Sequence, residues 1–209
     1  MDAPELPGLV DGRVSDLGER ADLSGLRFAG LDLSERDLTG SRLVECELSD
    51  VVLEDAKLTA VRLIDCRLEN LDVPVLLAAR PMWRNVSLRA SRVGSAELYD
   101  GEWASVLVTG CRLGYLNFRH STLTDVELNG CRISELDLSG ATATQVRFVD
   151  CDVETLTIGG ARLKDVDLRG ARISAISGIS AMSGTVIDET QLVELAPLLA
   201  AEAGISVQS

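Results

Sequence analysis

From Leu23 to Ile173 every fifth residue is apolar. The series holds 31 positions, Phe28, Trp83, Trp103 and Phe118 among them, without one polar interruption. In a chain that is 46% hydrophobic, chance does not produce such a run. A helix repeats about every 3.6 residues and a strand about every 2, so neither template explains a sustained period of five. A short period of this kind requires a solenoid, in which each unit buries its apolar face only by stacking on its neighbours.

Between Cys111 and Arg172 the period resolves into a longer cycle. Steps of five from Cys111 give Cys111, Leu116, Ser121 and Val126, then Cys131, Leu136, Ala141 and Val146, then Cys151, Leu156, Ala161 and Val166. Each of these is followed two residues later by another apolar side chain, as at Leu113, Phe118, Leu123 and Leu128. The sequence therefore repeats every twenty residues in four steps of five. The cysteines at 46, 66, 111, 131 and 151 follow this spacing. They read as small buried apolar residues at repeat positions. No C-x-x-C pair or comparable ligand spacing suggests a metal site, and no cofactor is expected.

The segments Ala21-Asp22-Leu23-Ser24-Gly25, Leu136-Asp137-Leu138-Ser139-Gly140 and Val166-Asp167-Leu168-Arg169-Gly170 resemble the pentapeptide-repeat consensus, Ala-(Asp/Asn)-Leu-x-x. The resemblance extends over about three quarters of the chain. It implies an all-β solenoid, a right-handed quadrilateral β-helix. In that fold four pentapeptides make the four sides of one coil, with the central residue and the one two before it pointing inward. The twenty-residue cycle agrees, because a four-sided coil returns to the same wall after twenty residues. With coils about 4.8 Å apart, roughly seven coils would give a rod of about 35 Å.

The cysteine spacing predicts one fault in the rod. Cys66 and Cys111 are 45 residues apart, two coils and one extra pentapeptide. The surplus falls between Leu71 and Val86, where Pro74-Val75-Leu76-Leu77-Ala78-Ala79-Arg80-Pro81 is the least repeat-like stretch. Proline lacks the N–H that a ladder needs, so an outward insertion is expected within 74–82, with the walls resuming after it. The expected divisions are a loosely ordered lead-in over 1–20, the β-helix over 21–177, and a C-terminal helical cap over 178–209.

The cap is read from Asp188, a candidate N-cap with Gln191 three residues on. Leu192, Leu195, Ala196, Leu199 and Ala203 follow on one helical face, and Gly204 is a stop signal. Pro197 is expected to kink or divide this helix. A solenoid end leaves strand edges and core exposed, so a cap is needed. The family resemblance adds a homodimer contact through the C-terminal segment, for which Leu192, Leu195 and Leu199 are the candidates.

Catalysis is not expected. The single histidine, His120, sits on an outward repeat position, and no triad, metal cluster or phosphate-binding loop can be assembled from the sequence. The net charge of −13 argues against direct binding of nucleic acid. Residues 1–20 have no apolar signal-peptide core, and no apolar run approaches a membrane span, so a cytoplasmic location is expected.

Function is then expected to lie in the surface. The family resemblance points to mimicry of duplex DNA and binding of DNA gyrase or another type II topoisomerase, an activity associated with antibiotic resistance. A rod of about 35 Å imitating DNA would need roughly 20 negative charges. Residues 21–173 carry 24 acids against 18 bases, a net of −6. Uniform mimicry is therefore not supported, but the charges sort by wall. One wall is expected to collect Asp32, Glu35, Glu54, Asp55 and Asp72, continued after the insertion by Glu97, Asp100 and Asp137. Its neighbour is expected to stack an arginine ladder of Arg92, Arg112, Arg132 and Arg172, interrupted by Asp152. The alternative function is a structural scaffold whose ladder or 74–82 loop meets an unrelated protein.

Overall fold

The inward positions of the five-residue series converge on one axis. Leu33, Leu53, Val73, Val93, Leu113, Ile133 and Val153 are all buried, one above the other. The computed structural model describes residues 1–207, so the last two residues of the 178–209 segment lie outside it. The fold is a parallel β-helix of about nine coils with one C-terminal helix. We number its walls from residue 21: the first wall holds 21–25, the second 26–30, the third 31–35 and the fourth 36–40, each recurring every twenty residues. Partial coils at both ends make the rod longer than the seven coils expected.

Backbone pairing fixes this geometry. On the first wall Arg42, Arg62, Met82, Glu102, Thr122, Thr142 and Arg162 are successive parallel partners. Strands such as Arg62–Glu69 run across the first and second walls, and strands such as Asp72–Leu77 run across the third and fourth. The result is two parallel sheets, of thirteen and six strands, that share one core. Corners are made at every fifth residue. Asp50, Asp55, Asp65, Asn70, Asn85, Asp100 and Asp125 all have φ near +50°, a conformation that Asp and Asn accept more readily than other side chains. From Val75 onward the corner between the third and fourth walls is different. Val75, Ser95, Tyr115, Glu135 and Thr155 avoid positive φ, which suits their β-branched and bulky members.

The expected insertion at 74–82 is absent. Arg62 pairs with Met82, Leu63 with Trp83, and Asp72 with Arg92, so the twenty-residue register passes through this stretch unbroken. The five cysteines in fact occupy two walls. Cys46 and Cys66 belong to a second-wall column that continues as Val86, Val106, Val126 and Val146. Cys111, Cys131 and Cys151 belong to a third-wall column that begins with Leu31, Val51, Leu71 and Ser91. A buried thiol packs like any small apolar group, so it is exchangeable with Val or Ser and does not mark a wall. On both walls it makes the same bond, donating to the carbonyl two residues before it: Cys66 to Ile64 at 3.3 Å, Cys131 to Asn129 at 3.5 Å. Pro74 is an exposed outward residue and Pro81 a buried inward residue of ordinary coils.

Aromatic residues enlarge the middle of the core. Trp83 stacks on Trp103 with centroids 4.6 Å apart, and Trp103 meets Phe118 edge-on at 4.9 Å. Gly101 makes room for Trp103, because a Cβ there would lie 2.7 Å from the indole nitrogen. A small apolar cavity of about 70 Å³ remains between these rings and their neighbours.

Both ends of the rod are closed. Residues 9–20, expected as a loose lead-in, form a partial coil. Val10–Asp11 pairs with Leu26–Arg27, Val14–Asp16 makes a 3-10 turn, and Leu17 is buried. Residues 1–8 run up the second wall until the Met1 amine lies 3.8 Å from Glu127. At the other end, Thr185–Val186 pairs with Val166–Asp167. The chain then enters helix α1, Glu189–Glu202, which is continuous through Pro197 and not divided by it. Asp188 Oδ1 accepts from the Gln191 backbone N–H at 2.8 Å, and Gln191 Oε1 accepts from the Asp188 N–H at 3.0 Å. The same Gln191 side chain donates to the carbonyls of Leu168 at 2.6 Å and Ala171 at 2.7 Å, tying the helix to the last coil.

Gln191→Leu removes the donor from two carbonyls at a buried site, and about 1–3 kcal/mol of stability should be lost. A lowered urea midpoint, with faster hydrogen exchange confined to residues 166–200, is the expected reading. Burial also pushes the Cys66 thiol up to about 12, and a hydrogen bond with the Cys111 thiol, helped by burial, pushes Cys131 up to about 11. All five thiols are buried, so an aromatic disulfide reagent should leave them unmodified in native protein and titrate five after denaturation.

Candidate interaction surface

Stacking in register turns each outward position into a column of side chains about 4.8 Å apart. On the third wall one such column reads Asp32, Val52, Asp72, Arg92, Arg112, Arg132, Asp152 and Arg172. Beside the first three coils of that column stand Glu35, Asp50, Glu54 and Asp55. The lower third wall therefore gathers five acids, with Asp50 at its corner with the second wall as a sixth, and no basic residue shares an outward position with them. Above them the column turns basic at Arg92.

This arrangement corrects the one expected from sequence. The acids Asp32, Glu35, Glu54, Asp55 and Asp72 do share a wall and are all exposed. Arg92, Arg112, Arg132 and Arg172, however, continue that same wall and do not form a neighbouring one. Glu97, Asp100 and Asp137 lie on the fourth wall, because no surplus pentapeptide shifts the phase. Asp137 is not a surface group at all, being 1% exposed. Its carboxylate accepts from Arg119 Nε at 2.6 Å and from both the backbone N–H and the hydroxyl of Ser139, at 2.9 and 2.6 Å. Glu97 accepts from Asn117 Nδ2 at 2.6 Å. Only Asp100 of these three is exposed.

The two ends of the arginine ladder differ. Arg172 Nε donates to Asp152 at 2.6 Å. Arg92, Arg112 and Arg132 are exposed, and among the described residues none has a carboxylate within 4.0 Å. Charges on the second wall, by contrast, alternate and neutralise one another. Glu47 bridges Arg27 at 3.1 Å and Arg67 at 2.6 Å, and Glu127 meets Arg147 at 3.6 Å. Uninterrupted twenty-residue columns of the sequence carry both the alternation and the third-wall block with Asp50 at its corner.

Some carboxylates are held by local bonds. Burial works to raise the Asp137 carboxyl, but the bonds from Ser139 and Arg119 outweigh it and keep the group below the ordinary carboxylate value. Asp32 is lowered by hydrogen bonding to Ser34, whose backbone N–H is 3.0 Å away. On α1, Leu195 is buried against its own chain, which removes it from the expected dimer contact. Leu192 is exposed, Leu199 is half-buried, and Val193 and Leu198 join the exposed apolar set.

Residues 32–70 match the family model of pentapeptide repeats, in eight copies. No curated protein matches the sequence. Among solved structures, full-length QnrB1, a plasmid-mediated fluoroquinolone resistance protein, is 19% identical over 93% of this chain and 95% of its own, with a TM-score of 0.37. HetL, a pentapeptide-repeat protein involved in heterocyst differentiation regulation in the cyanobacterium Nostoc sp., is 18% identical over 79% of this chain and 91% of its own, with a TM-score of 0.35.

Because the folded Asp137 carboxyl titrates below its unfolded value, its contribution is present at neutral pH. It is lost as pH falls through the depressed value. Asp137→Asn should cost about 1–2 kcal/mol at pH 7, discounted for the half-exposed Arg119. The gap to the parent should close toward pH 3 in urea titrations.

Proposed function

We propose that this chain, which matches the pentapeptide-repeat model over residues 32–70, is a non-enzymatic interaction module that uses its walls to bind another protein. The favoured partner is a DNA-binding protein, a DNA gyrase or another type II topoisomerase, met by the acidic block of the third wall. The observation that carries this reading is the six-acid cluster formed by Asp32, Glu35, Asp50, Glu54, Asp55 and Asp72 on three successive coils. Those coils span about 10 Å between their mean planes, over which duplex DNA would carry roughly six charges. The match in charge density is local. It makes the lower third wall, and not the whole rod, the surface that stands in for phosphates. The same block steers a basic DNA-binding channel toward this end of the rod.

A second reading is favoured by the unpaired Arg92, Arg112 and Arg132. A scaffold protein would use that ladder to hold an acidic partner, and the 74–82 stretch, being ordinary wall, has no part in it.

Added protein should inhibit gyrase supercoiling, or protect the enzyme from a topoisomerase poison, at micromolar concentration. Reversing Glu54, Asp55 and Asp72 together to Lys should weaken the effect at least tenfold. An effect unchanged by the reversal, or no binding at all by the parent, overturns the topoisomerase reading. Capture of an acidic partner lost on Arg112→Glu supports the scaffold instead.

A further inference from the structure

The third wall carries a charge pattern that inverts about its own middle. Coils one to three present Asp32, Val52 and Asp72 in the central column, and coils four to six present Arg92, Arg112 and Arg132. We propose that this wall docks a second copy of the chain, face to face and antiparallel, about a two-fold axis lying between the coils of Asp72 and Arg92. Such an axis lies in the plane of contact, perpendicular to the rod. It leaves each column facing its own equivalent while reversing the order of the coils. Asp72 then faces Arg92 of the second copy, Asp32 faces Arg132, and Val52 faces Arg112, each twice. Glu54 and Asp55, on the coil of Val52, supply carboxylates for the second copy's Arg112.

Spacing supports this occupant over others. Charges rising about 4.8 Å per step match another column of stacked strands step for step. An extended peptide laid along the rod presents like-facing side chains about 6.6 Å apart and falls out of step after two contacts. The centre of the wall is also low. Pro74 is exposed there, and Gly94 and Gly114 carry no side chain. A Cβ at either glycine would run into the carbonyl of the coil beneath. Two rods can therefore approach closely where the axis passes. A parallel pairing would set arginine against arginine and is disfavoured by the same columns.

Nothing else among the described residues occupies these coils. Residues 1–8 lie toward Glu127 on the second wall. Glu194, Leu195 and Leu198 of α1 line a hollow with Arg172–Ile176, two coils above Arg132. Two features oppose the pairing. Glu35 is brought opposite Glu135 of the second copy, and each chain carries a net charge of −13. The contact is one wall wide and about 29 Å tall, below the size of a standard stable interface. Association is accordingly weak and reversible, seen at high protein concentration. It goes beyond the proposed function, although it covers the acids which that reading uses.

Two double variants of the full chain test the geometry by sedimentation at about 0.3 mM. Asp32→Arg with Asp72→Arg makes the charged positions of the central column all basic, and Arg92→Asp with Arg132→Asp leaves Arg112 as the one base in an otherwise acidic column over these six coils. The parent should sediment as a monomer–dimer equilibrium and each variant alone as a monomer. An equimolar mixture of the two variants should recover the dimer, because the four cross-copy pairs made by positions 32, 72, 92 and 132 are then all opposite in sign. A parent that stays monomeric overturns the proposal, and so does a mixture that fails to associate. It is also overturned if Leu192→Glu with Leu198→Glu abolishes a dimer that the charge variants leave intact. Should either reversal fail to fold, Asp72→Asn and Arg92→Gln replace them, and each should weaken the dimer at least threefold; no change in either overturns it. A monomeric parent that still inhibits gyrase sinks this inference alone, and a dimer without effect on gyrase sinks the topoisomerase reading alone.

Discussion

Everything in this protein depends on the parallel backbone ladder that links each coil to the next. Arg112 N–H donates to the Ser91 carbonyl at 2.9 Å, Arg132 to Cys111 at 3.0 Å and Asp152 to Cys131 at 2.9 Å, and the pattern recurs on every wall. Because each bond joins residues about one coil apart, a slip at any point would move all later side chains to another wall. The ladder leaves no such slip between Asp22 and Ser177. Surface properties therefore come as columns, and a charge placed once is placed in line with its counterparts above and below.

The core meets the ladder's demand with few residue types. Inward positions accept Leu, Val, Ile, Ala, Cys and occasionally Ser, because the space per step is nearly constant and small changes are absorbed by neighbours. Ser91 and Ser121 occupy such positions without loss because each hydroxyl finds a carbonyl: Arg89 at 2.8 Å for Ser91, Leu98 at 3.0 Å for Ser121. The exception is the pair Trp83 and Trp103, whose indole N–H groups have no acceptor among the described residues. Gly101 removes a side chain to admit one of them. That coil trades hydrogen bonding for aromatic contact, and it is the place where the uniform stack becomes individual.

The surface is where the reading from sequence went astray, for a physical reason. A buried thiol is interchangeable with valine, so in the sequence the change of column from Cys66 to Cys111 reads as added length. That single step moved Glu97, Asp100 and Asp137 onto the wrong wall and set the arginines beside the acids instead of above them. The helix signal at Asp188 was legible because capping chemistry is local, whereas Gln191's second role, bonding Leu168 and Ala171, depends on a coil about twenty residues earlier. Burial of Leu195 against the rod and of Asp137 beneath Arg119 were hidden in the same way.

The sequence by itself determined the five-residue period, the twenty-residue coil, the buried cysteines and the need for a helical cap. These follow from which side chains avoid water and from the turns that Asp, Asn and Gly accept, properties carried by each residue alone. Only the tertiary structure decided the uninterrupted register through Pro74, the partial coil before Ala21 and the division of the third wall into an acidic and a basic half. Those depend on which coil lies against which, and pairing between distant strands is a cooperative choice that no residue makes locally.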